Sequence, residues 1–269
     1  MIRIDMHVHS DASFDGKDDF ETIMRAAAFQ NLDFVAITDH CDLVPQENGY
    51  AMYEQNQARI ALQIQLCEQM NRKACQLIHG IEIGNPMYDR KRADQFVSER
   101  ELDFVIGAIH YFDFDTDYLY LDYENPQVRE FYLKEYFSRM LELAQWGNFD
   151  SLAHLDYPLR AMDGLVACPP SFAEYRDEII PILETIANKG IALEINTRGT
   201  YDWQKRTGPE LWVLKEFHRL GGKHITIGSD AHTAERVGCG VEDGVAAAKA
   251  AGFDHITIYR NREPVDLPI

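Results

Sequence analysis

Along most of the chain, stretches with apolar residues at every second position alternate with stretches at helical spacing. A first strand is expected over Ile2–His9, where Ile2, Ile4, Met6 and Val8 share one face. Six more strands are expected at Phe34–Thr38, Leu77–Ile83, Phe104–Ile109, Ser151–Leu155, Ile191–Asn196 and His224–Gly228, with a last short one at Ile256–Tyr259. Helices are expected between them. They cover about Asp18–Gln30 (capped by Asp18 or Asp19), Tyr50–Arg72, Arg90–Arg100, Pro126–Trp146 (stopped by Gly147), Ser171–Asn188 (with Gly190 just past its end), Pro209–Leu220 (closed by Gly221 and Gly222) and Val241–Ala251. Repeated strand–helix units predict a parallel sheet. Seven or eight in a row predict a closed α/β barrel of TIM-like form. The doubly wound alternative lacks a Gly-x-Gly-x-x-Gly turn after the first strand. No linker or long-period repeat divides the 269 residues, so one barrel domain over 1–269 is expected.

The polar residues that interrupt this pattern fall at strand carboxyl ends. His7 and His9 end the first strand, Asp39 and His40 follow the second, and Glu82 ends the third. His110, His154, and the pair Asp230 and His232 follow the fourth, fifth and seventh. In a barrel these ends lie on one face, where active sites are built. A lone histidine is usually structural, but so orderly a set asks for a shared purpose. Imidazole nitrogens and carboxylates suit divalent zinc, manganese or iron. In His7-x-His9, strand alternation turns both rings to one side, and Asp230-x-His232 repeats the geometry. The supply exceeds the roughly four to six protein ligands of one transition ion. Two or three divalent ions are therefore expected, with Asp230 or Glu82 able to bridge. His79, His218, His224 and His255 fall off the pattern and read as structural or surface residues.

Composition narrows the partners. Lys plus Arg total 26 against 44 Asp plus Glu, a net charge of −18, which disfavours nucleic acid and anionic membranes. No apolar stretch reaches the ~18 residues of a membrane span, and the amino terminus shows no signal-peptide core. Five cysteines (Cys41, Cys67, Cys75, Cys168 and Cys239) are scattered without a Cys-x-x-Cys pair. They read as small buried hydrophobes in a reducing, cytoplasmic setting. Arg90, Lys91 and Arg92 read as a helix surface.

The motifs together resemble the PHP (polymerase and histidinol phosphatase) superfamily of metal-dependent phosphoesterases. The resemblance rests on His7-Val8-His9-Ser10, Ser13-Phe14-Asp15-Gly16, Thr38-Asp39-His40, Gly80-Ile81-Glu82, His110, His154 and Gly228-Ser229-Asp230-Ala231-His232. Glu194-Ile195-Asn196-Thr197, His154-Leu155-Asp156 with Arg160, and the segment from Ala251 to Arg262 resemble its histidinol-phosphatase branch. The resemblance implies a distorted (β/α)7 barrel with a trinuclear metal site. It implies a phosphatase that turns L-histidinol phosphate and water into L-histidinol and phosphate, in histidine biosynthesis.

The implied metal ligands are His7, His9, Asp15, His40, Glu82, His110, His154, Asp230 and His232. His7, His9, Glu82 and Asp230 are expected around one ion, and His40 and His110 at another, with Asp15, His154 and His232 completing the set. Asp230 and His232 are also expected to serve catalysis directly. Arg160 and Arg198 are the candidates to grip phosphate, since strand six carries no obvious ligand and leaves its tip free for substrate. Where many relatives carry a small residue after Asn196-Thr197, this chain has Arg198. Asp39 is expected to orient a ligand histidine. Glu194 either does the same, faces a substrate amine, or forms a strand-end salt bridge. The leaving group takes its proton from Asp156 or from a water held by an ion. Asp113, Asp115 and Asp117 form an acidic loop that could attract a cationic substrate, or simply be solvated. The competing readings are a related phosphoesterase for another small monoester, nucleotide or short oligonucleotide, an amidohydrolase-type enzyme, and a non-catalytic metal-binding protein. No strand ends in the bridging lysine that amidohydrolases often use. The oligomeric state is left open.

Overall fold

Seven strands pair side by side in chain order, all parallel: β1 (Ile4–Val8), β2 (Phe34–Asp42), β3 (Gln76–Gly84), β4 (Phe104–Ala108), β5 (Ser151–Leu152), β6 (Ala192–Asn196) and β7 (Ile225–Gly228). This computed structural model describes residues 2–44, 48–70, 75–99, 101–162, 166, 169–203 and 205–269. The ring closes between β1 and β7 through a single parallel bridge, Val8 to Ala231. Two backbone bonds stitch this seam: His9 N–H to the Ala231 carbonyl and Asp230 N–H to the His7 carbonyl, both 2.8 Å. The result is a nearly closed barrel of the expected (β/α)7 kind.

Helices cover the strands because their apolar residues recur on one face. In α1 (Phe20–Phe29), Phe20, Ile23, Met24 and Ala27 are buried, and Asp19 caps the start by accepting from Thr22 N–H at 2.8 Å. α2 (Asn48–Met70) and α3 (Arg90–Ser98) follow. The expected end of the second helix, Arg72, lies outside the described residues. α4 (Pro126–Trp146) keeps its expected bounds, with Asn125 as cap, Pro126 in the first turn and Gly147 in the left-handed region at φ +69°. α5 (Leu159–Met162), α6 (Arg176–Lys189), α7 (Arg198–Tyr201), α8 (Leu211–Arg219) and α9 (Val241–Ala251) complete the set. Ser171 and Glu174 form a capping box that starts a short 3-10 turn (Phe172–Tyr175), so α6 begins later than expected.

Two expectations change. Strand five is only two residues long, because the chain turns at His154–Asp156 into the cleft. The single terminal strand is a hairpin, β8 (His255–Arg260) with antiparallel β9 (Glu263–Pro268). Its two-residue turn, Asn261 and Arg262, has φ of +51° and +67°, as the tight hairpin turn requires. The hairpin seals the amino-terminal end of the barrel. Tyr259 OH donates to the Asp150 carbonyl, and Arg262 N–H donates to that of Asp103. Phe104 is fully buried and stacks on Tyr259 at 5.1 Å between ring centroids. Phe104→Ala is expected to cost about 3–5 kcal/mol of stability, read as a lower urea midpoint with unchanged slope.

Candidate active site

The side chains at the carboxyl ends of the strands converge on one cleft of about 300 Å³. Asp15, His40, Glu82, His110, His154, Asp230 and His232 line it, together with Arg160 and Arg198. His7 and His9 are buried against the same cluster. The register of β1 on β2 shifts between Asp5 and Val8, an irregularity at the strand end that carries the two histidines. Glycine makes room twice. A Cβ on Gly228 would lie 2.3 Å from the His7 Cβ and 2.7 Å from Glu194 Oε1, and one on Gly84 would strike Asp42 beside His110.

Glu82 sits at the centre. Its carboxylate oxygens lie 2.8 Å from His154 Nε2, 3.0 Å from His40 Nδ1, 3.4 Å from both His7 Nε2 and His110 Nε2, and 3.6 Å from His9 Nε2. Asp230 Oδ1 is 3.5 Å from His9 Nε2 and 3.9 Å from His7 Nε2. Asp15 reaches His232 Nε2 at 2.9 Å and His40 Nε2 at 3.6 Å.

The tautomers decide what this crowd of atoms is for. His7 Nδ1 meets Glu194 Oε1 at 2.6 Å, which puts the proton on Nδ1 and a lone pair on Nε2. His9 Nδ1 is 3.3 Å from Ser13 Oγ, whose own proton goes to Asp39 at 2.7 Å, so the His9 Nε2 lone pair also faces inward. Those two Nε2 atoms are 3.1 Å apart. Two lone pairs aimed at one another repel, so a cation, either a proton on one ring or a metal ion, must sit within reach of both. His110 repeats the arrangement: Nδ1 holds Asp42 Oδ1 at 2.7 Å, and Nε2 faces His154 Nε2 at 3.4 Å. Ligands of a tetrahedral ion with bonds of about 2.0–2.1 Å stand roughly 3.3 Å apart, which matches these spacings. His40 Nδ1, Asp42 Oδ2, Glu82 Oε2 and His154 Nδ1 are buried without a hydrogen-bond partner. Four triples could each hold an ion: His7–His9–Asp230, His7–Glu82–His154, His9–His40–His232 and His40–Asp42–His110. The donor set fits divalent metal.

The charges are mutually dependent. Burial alone would push Glu82 up, but His7, His110 and His40 hold it well below the usual carboxylate range. Burial would depress His40, yet Glu82 and Asp15 carry it up to about 9. Asp230 is held far down against its burial by Arg160 and Arg198. Arg160 Nη2 is 2.6 Å from Asp230 Oδ2, and Arg198 Nη1 is 3.4 Å from Oδ1. Asp230 itself takes φ +54°, a strained value for a residue other than glycine.

Several expected roles change with the geometry. Glu194 does not face a substrate amine, because one oxygen holds His7 Nδ1 and the other accepts from His154 N–H at 2.7 Å. Among the described residues, Asp156 is not on the cleft wall. It is buried against Gly208, and its oxygens meet no donor side chain, so burial raises its pKa. Asp39 accepts from Ser10 and Ser13 and so acts on His9 through Ser13. Of the acidic loop, Asp113 and Asp115 are used in the loop's own turn, and only Asp117 lines the cleft, where it accepts from Tyr157 OH at 3.0 Å. Sequence reasoning missed Asp42. The signal was present, since Asp42 stands two residues after His40 on the same strand and so shares its face.

A model of the PHP domain family matches residues 5–198. The chain is 30% identical over 255 residues to a probable histidinol-phosphatase of Thermotoga maritima, with 95% of each chain covered. It is 28% identical over 262 residues to a histidinol-phosphatase of Lactococcus lactis, covering 96% of this chain and 95% of the relative. A crystal structure of histidinol phosphate phosphatase from Lactococcus lactis, complexed with zinc, L-histidinol and phosphate, superposes with a TM-score of 0.80 at 26% identity and covers 98% of both chains. A structure from Listeria monocytogenes, at 15% identity and a TM-score of 0.75, shares the fold, with 89% of this chain and 99% of that one covered. With its motifs spread over the strand ends of such a barrel, the chain belongs to the PHP domain family.

Proposed function

We propose that the protein is a metal-dependent phosphatase that hydrolyses L-histidinol phosphate to L-histidinol and phosphate, a step of histidine biosynthesis. One observation carries the reading: inward-facing imidazole lone pairs and carboxylates share a cleft with two guanidinium groups. That is a cation site beside an anion site, as a phosphate ester on metal requires. The Lactococcus lactis enzyme of similar fold holds zinc, L-histidinol and phosphate.

Bound divalent ions, two or three in number and zinc among the candidates, would supply an acidified water and positive charge for the phosphoryl oxygens. His7, His9, Asp15, His40, Glu82, His110, His154, Asp230 and His232 would hold them, and Asp42 is added to that set. Glu194, Asp42 and the Ser13–Asp39 pair fix the tautomers that keep lone pairs pointing inward. Arg160 and Arg198 grip the phosphate and neutralise charge as the ester oxygen leaves. Asp117, on the cleft wall, offers a carboxylate to the cationic end of the substrate. The free thiols of Cys75 and Cys239, the acidic charge, and the absence of a helix long and apolar enough to cross a membrane among the described residues accord with a cytoplasmic enzyme.

Phosphate release by the zinc-loaded enzyme tests the substrate. kcat/KM for histidinol phosphate is expected to exceed that for glycerol phosphate, nucleotides and a diester by at least about a hundredfold. Equal values across monoesters would overturn the named substrate and leave a general phosphatase. The leaving-group acid is tested separately. A general acid contributes about 10²–10⁴. Because Asp156 is off the cleft wall, Asp156→Asn is expected to cost less than about tenfold on histidinol phosphate, and to act equally on p-nitrophenyl phosphate, whose leaving group needs no proton. A loss above about a hundredfold confined to the alkyl ester would restore Asp156 as the acid.

A further inference from the structure

At the other end of the barrel, His224 precedes β7, His255 opens β8 and Asp266 lies on β9, and the three side chains meet there. We propose that His224, His255 and Asp266 form a second, separate site for one divalent transition ion of the zinc class. The ligand atoms all lie within 4.8 Å of one another. His224 Nδ1 is 3.0 Å from Asp266 Oδ1, and His255 Nε2 is 3.6 Å from Asp266 Oδ2. These separations bracket the roughly 3.3 Å between neighbouring ligands of a tetrahedral ion. Two imidazoles and a carboxylate are a common zinc donor set, and water fills the fourth position.

The surroundings are arranged as a metal site needs. A ligating histidine donates its other ring N–H to a carboxylate or carbonyl. His255 Nδ1 is 2.7 Å from Asp254 Oδ1, so this partner is in place, and Nε2 is the ring nitrogen that would turn to the ion. Without an ion, Nε2 donates to the Lys223 carbonyl at 2.8 Å, a bond that the ion would replace, while Asp254 holds the ring through Nδ1 in either state. Thr257 Oγ donates to Asp266 Oδ1 at 2.7 Å and fixes the carboxylate. The side chains are 15%, 25% and 42% exposed for His224, His255 and Asp266, so an ion has a route in. An ion here would pin the terminal hairpin to the barrel floor, joining β7 to both strands of the hairpin. The site is far from the cleft in the fold, and its existence does not depend on the substrate assigned above.

The experiment compares wild type with Asp266→Asn and with the double variant His224→Asn/His255→Asn. Each is dialysed to equilibrium against the same free zinc, and ions per chain are counted by plasma mass spectrometry. Both variants are expected to hold one zinc fewer per chain than wild type while keeping wild-type kcat. Zinc added to the chelated protein is also expected to raise Tm less in the variants than in wild type, because the lost ion binds only the folded state. Asp266→Asn retains an acceptor for Thr257, so the hairpin stays folded in at least one variant. Equal zinc counts in all three proteins would overturn the site. So would a zinc loss accompanied by loss of kcat, because the effect would then run through the cleft.

Discussion

Replacing Glu82 by Gln is expected to lower kcat/KM for histidinol phosphate by about a thousandfold or more, and to strip zinc from the cleft. The reasoning is geometric. Five imidazole nitrogens, those of His7, His9, His40, His110 and His154, stand between 2.8 and 3.6 Å from its two oxygens. Gln has the same shape and volume but no charge, and one of its two ends is a donor. That end would aim N–H groups where a cation is needed. The carboxylate of the His7–Glu82–His154 triple would be lost, and with it the anion beside the histidines of the other three triples, so the loss exceeds what a peripheral ligand such as Asp15 would cause. The check is steady-state kinetics together with ion content and circular dichroism of the same preparation. A variant within tenfold of wild type, with its full complement of zinc, would remove Glu82 from the centre of the mechanism.

Arg160→Lys is expected to cost about 10²–10³ in kcat/KM, mostly in kcat, with a clear rise in the inhibition constant for inorganic phosphate. The guanidinium is buried, lies 2.6 Å from Asp230 Oδ2, and stands 5.1 Å over the Tyr157 ring. Nη2 is taken by Asp230, but Nε has no hydrogen-bond acceptor, so the group holds a donor in reserve beside the cleft. Lys keeps one charge but offers a point in place of a planar fork, so it cannot hold Asp230 and two phosphoryl oxygens together. Arg198 is the less demanding position. It is tied to Asp202 and His232 and more open to water, so its loss is expected to be smaller. An Arg160→Lys enzyme that kept wild-type phosphate inhibition would show that the residue serves only to neutralise Asp230.

The barrel and the gathering of polar strand ends in one cleft could be read from the sequence because both follow from local rules. Strand periodicity is a property of a few consecutive residues, and His7, His40, His110 and His154 could be placed at strand ends without knowing any distance. What could not be read depends on neighbours far apart in the chain. Glu194 has the same composition whether it meets a substrate or a histidine. Only the approach of β6 to β1, made possible by Gly228, gives it to His7. Asp156 sits beside a motif residue but turns away to Gly208. The hairpin strand β9 carries Pro264 and Pro268, residues that disfavour a strand but lie on an edge where the ladder tolerates them. The one-turn helices α5 and α7 are too short to show a period, yet they carry Arg160 and Arg198.

The seam between β1 and β7 has a consequence for how the protein comes to life on the ribosome. Ser229 donates to Asp5 across 224 residues of chain, next to the bonds that join His7 and His9 to Asp230 and Ala231. His7, in β1, and His9, just past it, are made long before Asp230 and Ala231, to which the seam joins them. A nascent chain short of Asp230 therefore lacks the His7–His9–Asp230 and His9–His40–His232 triples, and the donors it does offer bind whatever metal is most abundant and avid. Selection by the finished geometry begins only when the carboxyl-terminal part of the barrel has emerged and the ring has shut. The choice of metal is thus deferred until β7 and the residues just after it are made, and a chain stalled before Asp230 has no complete site with which to make it.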